Sequence, residues 1–566
     1  MTLKPESTWK FGRRQALRGA ALGSLGLAGA ALIGCGSKKP ASPTESKPAA
    51  GASTAAPGAA TPAVKRGGRL QLMMNGDPPT FDMHTETTTL VNTPVSPLYN
   101  QLIRADPKFG VEKPDGMIPD LATSWEIARD GLAYTFKLAP NVKFHDGTPF
   151  SSADVKATIE RNQNPPKGST MPRQGQFAAL SSMETPDTNT FVLKLSRPVS
   201  PLSLLPILGQ GWMSVYSKKD IDGGFDYKKK TNGTGPFRMT AYERGSRLTF
   251  ERNKDYFVKD RPYLDGLDLF IIPVAATQLA STQAGAIHVN TLASKADQDS
   301  LQKVMGDKAD YLTEKGLGFV CINFNTQKAP WKDARVRLAV SLLTNRADAV
   351  KVLSKGDASV GGYMSPGSYW ALPQAEIEKI HGYEPYSDAG LAEAKKLLSA
   401  AGVQDGLSVV LLTRALIANS ENISLFVAEQ LGKVGLKAKS DVVETAIAYD
   451  RLNKRDFDLV PWVQGIALDD PDAIFAESYL TGAPRNYSQL SSPAVDALFL
   501  KQSQELDPAK RLEMVKEMQR LALPEFSKII MYYSNAHAVV NKTVQGYVLH
   551  NTSYNSQRHE DLWLNA

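Results

Sequence analysis

Residues 134–155 read YTFKLAPNVKFHDGTPFSSADV, and this stretch decides the fold more than any other. Tyr134–Leu138 alternates apolar and polar side chains, the pattern of a half-buried strand. Asp146-Gly147 is a turn dipeptide in which glycine supplies the positive φ. Thr148–Arg161 then reads as a turn and helix start, with Pro149 early and Asp154 in the first turn. The same alternation returns at Thr190–Leu195 (TFVLKL). Gly68–Met74 (GRLQLMM) is a further strand, broken by Asn75-Gly76-Asp77-Pro78-Pro79. Apolar residues recur at helical spacing over Arg335–Leu353, Leu391–Ala401 and Asn422–Val434, with Gly402 and Gly435 standing where a C′ glycine belongs. Pro508–Leu523 is a helix with Asp507 as its cap, Pro508 at its first position and Pro524 beyond its end. Strands and helices are mixed without a repeat, so the chain is α/β. The 566 residues exceed what one core serves, and at least two lobes are expected.

The N-terminal end reads differently. Lys4, Lys10, Arg13, Arg14 and Arg18 form a basic head, followed by the apolar, Gly- and Ala-rich run Gly19–Gly34. That run is shorter than the roughly 20 residues a spanning helix needs and reads as an export signal. The Arg13-Arg14 pair resembles a twin-arginine signal; a Sec signal that contains two arginines is the alternative. Leu32-Ile33-Gly34-Cys35 resembles a lipobox, which makes Cys35 the acylated residue and residues 1–35 the signal. Acyl chains on Cys35 would bury enough methylenes for stable anchoring. Residues 36–66 are Ala, Pro, Ser, Gly and Thr with a few charges, a composition that makes a flexible tether.

The charge follows the same partition. Residues 1–66 carry ten basic and two acidic side chains, whereas the whole chain is only +7, so residues 67–566 are close to neutral. The basic pI therefore gives no reason to expect nucleic acid as a partner. Besides Cys35 the only cysteine is Cys321, in the strand-like GFVCINFN, which reads as a core thiol. No GxSxG, HExxH, Walker or Rossmann fingerprint is present, and the histidines are dispersed, so neither an enzyme nor a metal site nor a cofactor is expected.

From about residue 67 onward the order of motifs resembles family 5 extracytoplasmic solute-binding proteins of ABC importers. The block Pro119-Asp120-Leu121-Ala122, Ser124-Trp125-Glu126, Asp130-Gly131-Leu132 and the opening stretch carries the resemblance. Gly233-Thr234-Gly235-Pro236-Phe237, Asp255-Tyr256-Phe257, Tyr263-Leu264-Asp265, Gln283-Ala284-Gly285 and Asp333-Ala334-Arg335-Val336-Arg337 follow in order. Two departures are Asn345-Arg346 for an Asp-Arg pair and His288 for an aspartate. The resemblance implies a two-lobed periplasmic-binding-protein fold (type II, class C-like), with two hinge strands and the ligand cleft between the lobes. Lobe I would hold residues 67–318, with the family's insert at about 116–200. Lobe II would hold 319–532, and 533–566 would return to lobe I. The crossings are expected near Gly318–Thr326 and Ile529–Val540.

The implied function is capture of a solute, an oligopeptide in the commonest case, for delivery to an ABC permease by a monomeric, lipid-anchored protein on the outer face of the cytoplasmic membrane. An oligosaccharide or a metal chelate is the alternative cargo; a ligand-presenting sensor component or a secreted hydrolase is the alternative of another class. In dipeptide-binding members an arginine at a strand end pairs with the ligand carboxylate and a later aspartate with its ammonium. The arginine falls on Arg414 here, and the aspartate on Ala467. An ammonium without a counter-charge loses what offsets its desolvation, so the cargo is expected to depart from ordinary dipeptides. Asp469 and Asp470 are nearby acids, with Asp470 read as the cap of the next helix. Trp212, Tyr369, Trp370, Trp462 and Gln464 are further ligand candidates, since rings with a few polar groups make such pockets; Tyr99 and Met74-Asn75 are weaker ones.

Overall fold

The computed structural model describes residues 10–11 and 63–565, apart from 87, 111–115, 168, 170, 293, 416–419, 467, 484 and 553–556. Cys35, the apolar run before it and Ala467 therefore lie outside the described residues.

A seven-stranded sheet organises the chain. Its two longest members are β1 (Ala309–Phe324, 16 residues) and, much later in the chain, the 14-residue strand Lys528–Asn541. At about 3.3 Å per residue each is far longer than one core is wide. They pair antiparallel from Ala309↔Asn541 at one end to Asn323↔Lys528 at the other, and so run through both lobes. Between Lys315 and Phe319 the ladder breaks register. Gly316 sits in that break, where a Cβ would lie 2.4 Å from the Ser534 carbonyl oxygen, so no other residue fits without parting the strands. The first of these strands overlaps the stretch Gly318–Thr326 and the second includes Ile529–Val540, the two stretches in which the sequence reading expects the crossings.

On one side of the break, β2 (Ser408–Arg414) and β3 (Leu459–Gln464) extend the sheet. β3 pairs antiparallel with β1 and parallel with β2. Helices pack around them to close a core that includes Phe319, Cys321, Leu411, Trp462, Phe475 and Ile530, which is lobe II. Two of these helices are α1 (Pro471–Ser478) and α2 (Pro508–Ala522). The strand Lys528–Asn541 is β4. On the other side of the break, a four-stranded sheet that includes Arg69–Met74 and Gly266–Ile271 builds the lobe I core, to which Ala538, Val540, Leu549 and Leu562 return from the far end of the chain. An antiparallel sheet with Ala122–Ile127, Ala133–Leu138, Thr190–Leu195 and Leu180–Asp187 as neighbours in that order has its own core around Phe136, Phe144 and Phe191.

Local chemistry explains the element ends. The Ser151 amide donates to Asp154 Oδ2 at 2.7 Å in a capping box, which starts the helix Ser152–Gln163. Asp507 accepts from the amides of Ala509 and Lys510 and starts α2 at Pro508. One expectation is corrected: Arg335–Leu353 is two helices, Ala334–Leu343 and Arg346–Leu353. Asn345 interrupts the run because its side chain accepts from the Asp348 amide as an N-cap, an arrangement the apolar spacing does not reveal.

Candidate functional site

Parallel strands present their C-terminal ends to a cleft, and both β2 and β3 end on candidate residues. Arg414 closes β2 and Gln464 closes β3. In the β1–β3 ladder Cys321 pairs with Trp462 and Phe319 with Gln464. Alternate residues share a face, so Trp462 and Gln464 project on the same side as Cys321 and Phe319. The Arg414 guanidinium lies 3.8 Å from the centroid of the Trp462 ring and donates to the Val463 carbonyl at 3.3 Å. It is a cation over the face of an indole, with little of it exposed. Trp462 in turn meets Tyr487 edge to face at 6.4 Å.

Gln464 is fully buried. Its Nε2 donates to Ser478 Oγ at 2.6 Å, tying β3 to the end of α1. Its Oε1 accepts from Lys528 Nζ at 3.4 Å. Lys528 is the first residue of β4, and sequence reasoning missed it. Burial lowers its ammonium to about 8, and Arg485 acts in the same direction. Its Nζ lies over the Tyr479 ring at 4.7 Å. Tyr479 stacks on Tyr363 at 4.2 Å, and Tyr533 packs on Phe319 at 5.5 Å. The only signal for this tyrosine-rich wall is a lysine and two tyrosines in the otherwise apolar run KIIMYY.

The second group lies on the loops that follow. Trp370 is buried and donates its indole N–H to the Asp469 carbonyl at 3.1 Å. Tyr369 meets it edge to face at 5.0 Å and is 45% exposed, the most open of the candidate aromatics. Burial pushes the Asp469 carboxyl up to about 7; a hydrogen bond from Ser368 opposes this, and the charge of Asp470 reinforces it. The charge of Asp469 also bears on Tyr533, which links this group to the β1–β3 wall.

The neighbouring acids have a different task. Asp470 accepts from the Asp472 amide at 2.9 Å and caps α1, as the sequence suggests. Arg511 of α2, wholly buried, pairs with Asp470 at 3.0 Å and Asp472 at 3.3 Å and stacks on Trp370 at 4.5 Å. This cluster locks α1 to α2.

Arg414, Trp462 and Gln464 are thus brought together, with Tyr369 and Trp370 on the adjoining loop. Trp212 is not among them. It is buried in the lobe I core, with the Arg173 guanidinium 4.4 Å from its ring centroid. Met74 and Tyr99 are buried in the same core, and the Tyr99 hydroxyl accepts from the Asn232 amide. Cys321 is fully buried, and burial raises its thiol, the opposite of what a nucleophile requires. The arrangement gathers two cations, several ring faces and an amide around the ends of β2 and β3.

Comparison with known proteins agrees. The dipeptide-binding protein of Escherichia coli (strain K12) is 28% identical over 507 residues, covering 84% of this chain and 91% of that protein. Among solved structures, the periplasmic binding protein DppA from Helicobacter pylori in complex with peptide STSA superposes with a TM-score of 0.75 at 24% identity, over 89% of this chain and 99% of that one. AgaA of A. tumefaciens R10 in complex with agropinic acid gives 0.74 at 23%, over 88% and 99%. The family profile of bacterial extracellular solute-binding proteins, family 5, matches residues 116–486. With that match spanning more than half of its length, the chain belongs to the family 5 bacterial extracellular solute-binding proteins.

Proposed function

We propose that this chain captures a peptide or a peptide-like anionic solute outside the cytoplasm and hands it to an ABC permease when its lobes close. Closure about a hinge of this kind encloses the ligand and creates the surface a membrane partner reads. The observation that carries the reading is Arg414, a cation at the end of β2 stacked on Trp462. It stands where dipeptide-binding members of the family hold the ligand carboxylate. Ala467 stands where they hold the ammonium, which argues for a solute not anchored by a free amine. A non-peptide anion is therefore the second reading, in keeping with the agropinic acid bound by the similar AgaA.

Further parts of the proposal rest on sequence. Residues 1–35 act as export signal with Cys35 the lipidated residue, residues 36–66 as tether, and the folded part works as a monomer at the outer face of the membrane. Residues 67–318 and 533–566 would then form lobe I, and 319–532 lobe II.

The experiment is native mass spectrometry of the purified protein to identify the bound solute, followed by calorimetric titration of that solute into wild type and Arg414→Ala. Truncating one partner of a desolvated charge pair costs about 2 kcal/mol or more, so a loss of about thirtyfold or more in Kd is expected. A carboxylate-bearing solute that binds both proteins equally well would remove Arg414 from the site.

A further inference from the structure

Lobe II holds a second cation that the Arg414 reading leaves unused. Lys528 pairs with Asn323, deep in the lobe. Its side chain nevertheless runs toward the cleft end of the sheet, where Nζ reaches Gln464 Oε1 at 3.4 Å. Nζ lies 4.7 Å from the Tyr479 ring centroid and 5.9 Å from that of Phe319. Lys528 is 0% exposed, and among the described residues it makes no ion pair. Glu477, an acid whose charge it feels, is already paired with Arg485.

An ammonium carries three donors, and here one amide oxygen accepts from it, beside two ring faces, the buried Cys321 thiol and the charges of Arg485 and Glu477. A buried charge in that state is under-compensated. The Tyr479 hydroxyl, on the ring beneath it, is likewise buried and has no hydrogen-bond partner among the described residues. Two unmet donors on one wall call for a shared acceptor. An oxyanion satisfies both at once; a cationic group is repelled, and a neutral carbonyl leaves the charge uncompensated.

We propose that Lys528 and the Tyr479 hydroxyl form a second anion-recognition point on the lobe II wall, distinct from Arg414, which takes a carboxylate of the captured solute. This deepens the reading of Arg414 as a carboxylate anchor and rests on it. Arg414 stacks on Trp462, and Lys528 bonds Gln464. These are alternate residues of one strand, about 6.7 Å apart. The solute class is therefore a dicarboxylate whose acid groups are separated by several bonds. A peptide with an acidic side chain and a non-peptide dicarboxylic acid share that chemistry.

Calorimetry on the purified full chain with matched pairs tests it: Ala-Glu-Ala beside Ala-Gln-Ala, and the dicarboxylates from glutarate to suberate, each beside its monoamide. Wild type is expected to bind the acidic member of at least one pair at least tenfold more tightly. Lys528→Met and Tyr479→Phe should each abolish most of that preference while leaving the amide member of each pair, which has one carboxylate fewer, within about twofold. Tyr479→Phe removes only a hydroxyl that has no hydrogen-bond partner among the described residues, so it keeps the test valid should Lys528→Met fail to fold. Three results overturn the proposal: no binding of any acidic probe, no preference in any pair, or a preference that survives either variant in folded form. A preference seen only among the dicarboxylates, with neither peptide bound, upholds the anion point and refutes the peptide reading. Equal binding of both peptides, with no preference elsewhere, does the reverse.

Discussion

Replacing Asp469 by Asn should stabilise the protein at alkaline pH and leave it unchanged in acid. The carboxyl is buried next to Asp470, and burial raises it from 3.8 to about 7 in the folded state. A group whose folded value lies above its unfolded value keeps a proton that the unfolded chain has released. Stability then falls as pH rises through the interval between the two values, about 4 to 7. A rise of about three units corresponds to about 4 kcal/mol once both states are ionised. Asn preserves the shape and an acceptor for the Ser368 hydroxyl but cannot ionise, so it escapes that loss. The stability difference between variant and wild type should therefore be near zero at pH 4 and grow to a few kcal/mol, with about 4 as its ceiling, above pH 7.5. Urea unfolding of both proteins at pH 4, 6, 7 and 8.5 reads it directly. Every other titrating group is common to the two, so the difference isolates this one. A pH-independent difference, or a variant that is weaker at pH 8.5 than at pH 4, would mean that Asp469 is an ionised, paired carboxylate in the fold, and the reasoning would fail.

Three further outcomes follow from the same structure. Arg511→Met strands the carboxylates of Asp470 and Asp472 in a buried site and should cost about 3–5 kcal/mol, read as a lowered urea midpoint. Arg558 pairs with Asp120 and Glu560 and ties the last residues of the chain to lobe I. Burial alone would raise the Glu560 carboxyl, but Arg104 and Arg558 outweigh it and hold the group at about 2. That stabilisation is present above about pH 4.5 and lost as pH falls toward 2, so Arg558→Met should flatten the acid limb of the stability curve and speed hydrogen exchange over residues 546–564. Trp212→Ala, a core truncation in lobe I, should cost about 3–5 kcal/mol while moving the Kd of the co-purified solute less than threefold; a large loss of affinity without loss of stability would return Trp212 to the cleft.

How far the sequence carries the fold depends on the range of the interaction. Tyr134–Leu138 and Thr190–Leu195 alternate as strands because each has one face on the core around Phe136 and Phe191, and that is written within six residues. Asp507 followed by Pro508 writes a helix start just as locally. The split at Asn345 is local too, but asparagine serves equally well on an exposed helix face, so spacing alone favours one long helix. The acids at Asp469, Asp470 and Asp472 show the limit. The capping role of Asp470 is written in the following proline, whereas its pairing with Arg511 joins residues 41 positions apart, and nothing near either of them announces it.

The candidate site sharpens that contrast. Arg414 stands out in the sequence only through the family resemblance, whereas Trp462 and Gln464 stand out as a ring and an amide close to a strand end. Lys528 carries no such mark. In SKIIMYY it looks like the charged first residue of a strand, which solvent usually covers. What buries it is the β1–β4 register, which sets Lys528 opposite Asn323, and the packing of Tyr479 beyond the end of α1 over the same face. Shifting that register by one residue would turn Lys528 to the opposite face of the sheet, away from Gln464 and Tyr479. The cation on the wall is therefore a product of pairing between strands more than two hundred residues apart, and only a folded chain displays it. If that pairing is what aims Lys528 at the cleft, then the solute's second charge is chosen by the hinge strands themselves, the same elements whose bending opens and closes the protein.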